Sequence, residues 1–147
     1  MDMADVAFHT GVGDKLQYAC RLLRKAYRQG ARVVVGGAAP QLQQLDQALW
    51  TFEAQEFVPH VRLAAGREPS ANQARTPVWL VEPGARMPNA DVLVNLGPDR
   101  LAGDASFRRI IELVSRDEDD VAAGRRRWKQ YEAQGWPIAH HPAGSPN

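Results

Sequence analysis

Short apolar runs alternate along this chain with stretches of helical periodicity. Residues 5–8 (DVAF), 32–36 (RVVVG), 78–81 (VWLV) and 91–96 (DVLVNL) read as strands, and the unbroken Val33-Val34-Val35 run predicts a strand covered on both faces. Leu16, Ala19, Cys20, Leu23 and Tyr27 recur at helical spacing, with Asp14 placed to cap the helix start and Gly30 to stop its end. Pro40 can open a second helix running through Leu42 and Leu45 toward Trp50. Residues 107–114 (FRRIIELV) fit either a helix or a strand; strand is chosen because Ser115 starts a fresh helix at once. In that last helix, 116–134, Ser115 and Glu118 predict a capping box and Gly135 a stop. Residues 9–13 and 62–76 read as loops, and the tail from Pro137 to Asn147, with three prolines, as frayed at its end. Strands alternating with helices predict a single α/β domain over 1–138 with a mostly parallel central sheet covered by helices, followed by a flexible tail, 139–147.

One stretch, 45–60 (LDQALWTFEAQEFVPH), does not fit a purely structural pattern. Leu45, Leu49 and Phe52 share a helical face, whereas Trp50 sits off it. Phe57, Val58, Pro59 and His60 then continue as an apolar run in which Pro59 excludes helix and holds Val58 extended. Two aromatics there either plug the edge of the core or form a surface that something covers.

Composition narrows the class. With 147 residues, 44% hydrophobic and 24% charged, the chain has the make-up of a soluble globular domain. A net charge of +1 gives no global field toward DNA or anionic lipid. The single cysteine, Cys20, excludes an intrachain disulfide and lies on the apolar side of the first helix, as a buried inert thiol would. No apolar run is long enough for a membrane span, and the first five residues are acidic where a signal peptide is basic, so a cytoplasmic location is expected.

Catalytic patterns fail on inspection. Gly11-Val12-Gly13 follows the first strand, but Leu16 stands where a dinucleotide fingerprint needs its third glycine. Asp14 separates Gly13 from Lys15, and an acid there repels phosphate. His140-His141 lies in the tail, His9 has no accompanying nucleophile, and the acids at 117–120 suit a solvated helix start. No cofactor is expected.

The last helix offers a binding chemistry instead. Val121, Arg125 and Trp128 are spaced i, i+4 and i+7 and lie along one side, with Val114 just before the helix and Ile138 just after it to close the patch. An apolar floor beside a guanidinium suits a ligand both hydrophobic and anionic, such as the C-terminal aromatic residue of a peptide with its carboxylate. The competing possibility is that Val121 and Trp128 merely dock the helix while Arg125 is solvated.

The block LDQALW with FVPH, the strand VLVNLG and the segment FRRIIELVSRDEDDVAAGRRRWKQYEAQGW, in that order, resemble the chi subunit family of bacterial DNA polymerase III holoenzyme over nearly the full length. The resemblance implies a Rossmann-like fold and a non-enzymatic clamp-loader adaptor. Such proteins bind the psi subunit and the acidic, phenylalanine-ended tail of single-stranded-DNA-binding protein, meeting nucleic acid only indirectly. By position, the tail site falls on Val114, Val121, Arg125, Trp128 and Ile138, with Arg125 on the terminal carboxylate. The psi surface, also implied for an alternative helicase partner, falls on Trp50, Phe57, Val58, Pro59 and His60. Val121 occupies a place that resembles a lysine site in some relatives, with Arg126 and Lys129 as the candidate replacement cations. Two rival classes are a nucleotide-binding enzyme using residues 11–14 and a direct single-stranded-DNA binder using Arg125 to Lys129.

Overall fold

Among the described residues, seven strands lie side by side and all run in the same direction: β1 (Asp5–Val12), β2 (Val33–Gly36), β3 (His60–Leu63), β4 (Val78–Val81), β5 (Val92–Asn95), β6 (Arg109–Ser115) and β7 (Ile138–Pro142). Their spatial order is β3-β4-β2-β5-β6-β1-β7. The computed structural model describes residues 4–51, 57–73 and 75–143. Helices α1 (Lys15–Arg28) and α2 (Ala39–Thr51) pack on one face, and α3 (Glu118–Ala133) packs on the other. The result is the three-layer, Rossmann-like α/β arrangement that the alternating pattern predicts.

Period-2 alternation sorts the core. Val33 and Val35 pack under α1 and α2 with Leu23, Leu42 and Leu45, while Val34 points to the opposite layer with Phe8, Trp79 and Tyr131 of α3. Asp14 caps α1 through a 3.0 Å bond from the Gln17 amide, and both Gly30 and Gly135 adopt φ of +77° past their helix ends. Gly36 has a packing role: a Cβ there would sit 1.9 Å from Leu101 Cδ1, so the glycine at the end of β2 makes room for that leucine.

Several boundaries differ from the sequence reading, each for a physical reason. Residues 9–12 are not loop but the second half of β1, held between β6 and β7. Arg62 and Leu63 belong to β3, which among the described residues is an edge strand paired only to β4, and its half-exposed surface leaves little hydrophobic signal. β7 runs on through Pro142, past the boundary drawn after Ile138, because residues 138–142 pair in register with Val6–Thr10 of β1. The Ser115–Glu118 capping box does not form. Asp117 takes the cap position, and Asp120 reaches back to accept the Ser115 amide at 2.7 Å.

Candidate functional site

α3 leaves the sheet with one flank open. Its Gly124 is the residue of closest approach: a Cβ there would lie 2.8 Å from Val114 Cγ2 on β6. Glycine in mid-helix is intrinsically unfavourable, so its presence here marks tight helix–sheet packing. Beside this contact runs a groove of about 680 Å³ between α3 and the β1–β7 end of the sheet. Phe8, Val114, Val121 and Trp128 make its apolar surface. The Trp128 ring packs 5.0 Å from Phe8 and edge-on to His140, and the indole is half-buried. Trp128 and Val121 therefore do both things that their spacing allowed: they dock the helix and still face the groove.

Polar groups sit on the rim. Arg125 is exposed and, among the described residues, forms no ion pair. Lys129 and Arg116 also line the groove, with Glu132 as the one acid among the described residues. Arg116 is steadied by donating from Nε to the Gly11 carbonyl at 3.1 Å. His140 is held by Thr10 Oγ1 at 2.6 Å. Three cations against one carboxylate favour an anionic guest whose apolar part lies on the tryptophan.

Four of the five residues assigned to this site meet here; Ile138 does not line it. Ile138 pairs with Val6 at the start of β7 and packs half-buried into the layer below α3. Sequence reasoning missed Phe8, Arg116 and His140, which reach the groove through strand pairing across more than a hundred residues. Arg126, offered as a replacement cation, lines a different cavity.

The second assigned group lies at the other end of the sheet and on the other face, where α2 meets β3. Trp50 and Phe57 stack at 4.6 Å with 27° between planes and are 63% and 44% exposed. His60 lies 5.6 Å from both rings, fixed by Asp46 at 2.6 Å and the Val58 carbonyl at 2.7 Å. Val58 points inward, 3% exposed, and Pro59 is half-buried, so the outward apolar surface belongs to the two aromatics. Phe52 lies outside the described residues.

A network that no motif revealed anchors α3. Glu112, 0% exposed on β6, accepts from Arg127 Nε at 2.8 Å, Tyr131 Oη at 2.6 Å and Asn95 Nδ2 at 3.2 Å. Burial pushes the Glu112 carboxyl above its usual range, opposed by the Arg127 guanidinium and the donors. The available signal was a glutamate inside IIELV, an ionisable group in a strand covered on both faces.

At the carboxyl ends of the strands, where open α/β sheets hold nucleotides, Asp14, Asp117, Asp119 and Asp120 line the crevice. Lys15 is committed to Asp120 at 2.7 Å and to the Leu96 carbonyl at 2.6 Å. Burial alone would raise the Asp120 carboxyl, but its bonds from Lys15 and Ser115 bring it below the usual range. A phosphate would meet carboxylates there. Among the described residues no group of three or more His, Cys, Asp or Glu is arranged to hold a metal ion, and no helix is long and apolar enough to cross a membrane. Cys20 is buried, and that burial pushes its thiol up to about 11.

Comparison with known proteins adds an independent finding. The family model described as "DNA polymerase III chi subunit, HolC" matches residues 3–139. The chain is 34% identical over 128 residues to DNA polymerase III subunit chi of Pseudomonas aeruginosa, covering 86% of this chain and 85% of that one. It is 30% identical over 130 residues to the Haemophilus influenzae protein of the same name, covering 87% of each. The Escherichia coli protein of that name is 27% identical over 124 residues, 83% of this chain and 81% of the relative.

Proposed function

The chain belongs to the DNA polymerase III chi subunit family, replication accessory subunits, and from that premise we propose that it is a non-catalytic adaptor joining two partners through its two surfaces. The groove beside α3 takes the acidic, phenylalanine-terminated tail of single-stranded-DNA-binding protein. The Trp50–Phe57 surface takes the psi subunit of the clamp loader, or a helicase in its place. The observation that carries the reading is an apolar groove floored by Trp128 with an unpaired guanidinium, Arg125, at its rim. A terminal phenyl ring lies on the indole and aliphatic side chains while Arg125 pairs with the terminal carboxylate. Upstream acids of the tail meet Arg116 and Lys129, which supply the charge that Val121 does not.

One ring, one carboxylate and a few screened acids amount to about 7–8 kcal/mol, a micromolar affinity. Raised salt weakens it, since the rim is exposed. Because the two surfaces lie on opposite faces and at opposite ends of the sheet, one partner does not displace the other. Fluorescence anisotropy with a labelled acidic peptide ending in Pro-Phe tests the reading. Arg125→Ala and a C-terminally amidated peptide should each abolish most binding, while unchanged affinity in both would rule out the assigned site.

A further inference from the structure

The side of α3 turned away from the groove carries a second basic cavity that the adaptor reading does not use. It measures about 190 Å³ and lies outside the carboxyl end of β5, lined by Pro98, Asp99 and Arg100 of the following loop and by Arg126, Arg127 and Gln130 of α3. Arg127 is 1% exposed. Its Nε donates to Glu112 and its Nη1 to the Pro98 carbonyl at 2.7 Å, but its Nη2 is buried with no acceptor among the described residues. A buried guanidinium donor left unpaired is costly, and such groups in folded proteins are ordinarily satisfied.

Of the two neighbouring cations, Arg100 is committed within the protein and Arg126 is not. Arg100 is locked by a bidentate pair with Asp104 at 3.0 and 3.1 Å, a bond to Gln134 at 2.5 Å, and stacking 4.2 Å over the Tyr131 ring. Arg126 is exposed and, among the described residues, has no ion-pair partner. Glu112 and Asp104 balance Arg127 and Arg100, and Asp99 is the one carboxylate among the described residues that line the cavity. A buried guanidinium and an exposed arginine, at successive positions of α3, approach the cavity from different directions. That suits a tetrahedral oxyanion with several acceptor oxygens better than a planar carboxylate with two.

We infer that this cavity is a phosphate site, in which Arg127 Nη2 and Arg126 hold the oxygens of a phosphoryl group. The same chemistry is offered by a free phosphate and by a phosphate of single-stranded nucleic acid. Titrating the isotope-labelled full chain with inorganic phosphate at constant ionic strength, and separately with a short single-stranded oligonucleotide, distinguishes the two by nuclear magnetic resonance.

Phosphate is expected to shift the Arg127 side-chain Nε–H and the Gly97 and Gln130 amides saturably, with a dissociation constant of about a millimolar. Arg126→Ala, at an exposed position that does not endanger folding, should weaken this roughly tenfold, the worth of one charge-assisted hydrogen bond. Arg125→Ala should not. Saturation of the same signals by the oligonucleotide at lower concentration assigns the phosphate to nucleic acid; saturation by inorganic phosphate alone assigns it to a small ligand. Either supports the site. Only linear, non-saturating shifts would mean that water satisfies Nη2, and equal loss in both arginine variants would mean diffuse charge; each overturns the inference.

Discussion

Glu112→Leu puts the anchoring of α3 under direct stress. Glu112 and Arg127 are both at or near zero exposure, paired at 2.8 Å, so removing the carboxylate leaves a guanidinium charged and buried. Breaking a buried pair from one side costs about 3–5 kcal/mol. Tyr131 Oη also loses its acceptor, whereas Asn95 Nδ2 keeps the Asp99 carbonyl at 3.0 Å. A domain of this size has roughly 5–15 kcal/mol in total, so Glu112→Leu should consume a large part of it. At about 2–4 °C per kcal/mol, the midpoint should fall by roughly 6–20 °C. Arg127→Met should cost a similar amount, because it strands the carboxylate. The double variant should cost far less than the sum, since an apolar pair of similar volume replaces two ions that had to be desolvated. Urea unfolding of all four proteins, followed by tryptophan fluorescence, closes the cycle. Additive losses, or single variants costing under about 1 kcal/mol, would show that the pair does not anchor the helix.

Other perturbations separate groove, partner surface and core. Gly124→Ala adds a Cβ at 2.8 Å from the stiff Val114 side chain, so α3 must move outward; despite the helix preference for alanine, melting should show a net loss of about 1 kcal/mol and anisotropy a weaker tail affinity. Phe57→Ala removes half of an exposed stack, so the melting temperature and tail binding should hold while psi capture in a pull-down is lost. His9 is brought from 6.5 down to about 4 by burial first and then by His141 and Arg109. The unfolded chain therefore binds its proton at a higher pH than the folded chain, and stability is lost as pH falls from 6.5 toward 4. His9→Phe should flatten that part of the melting profile; an unchanged profile would remove His9 as the cause.

The sheet was readable wherever burial was complete. Val33-Val34-Val35 is covered on both faces, so continuous hydrophobicity reported it directly; IIELV, equally buried, fitted a helix as well and was separated only by the helix expected to start at Ser115. β3 and β7 are edge strands, exposed along one side, and their polar residues look like loop until the register with β4 and β1 is known. The same reason hid Phe8, Arg116 and His140: the groove is assembled across β1, β6, β7 and α3, whereas sequence spacing relates only residues of one helix. Val121, Arg125 and Trp128 were legible because one helical face carries all three. Val58 was assigned to the partner surface with its neighbours, but in the segment that leads into β3 its side chain turns inward and joins the core.

The most direct test is to watch the four tryptophans while an acidic peptide ending in Pro-Phe is added. Each indole N–H gives its own cross-peak. Trp128 should shift saturably, with Trp50 at the opposite end of the sheet and buried Trp79 unmoved. A shift at Trp50 with Trp128 silent, or none at all, would contradict the assignment of the groove.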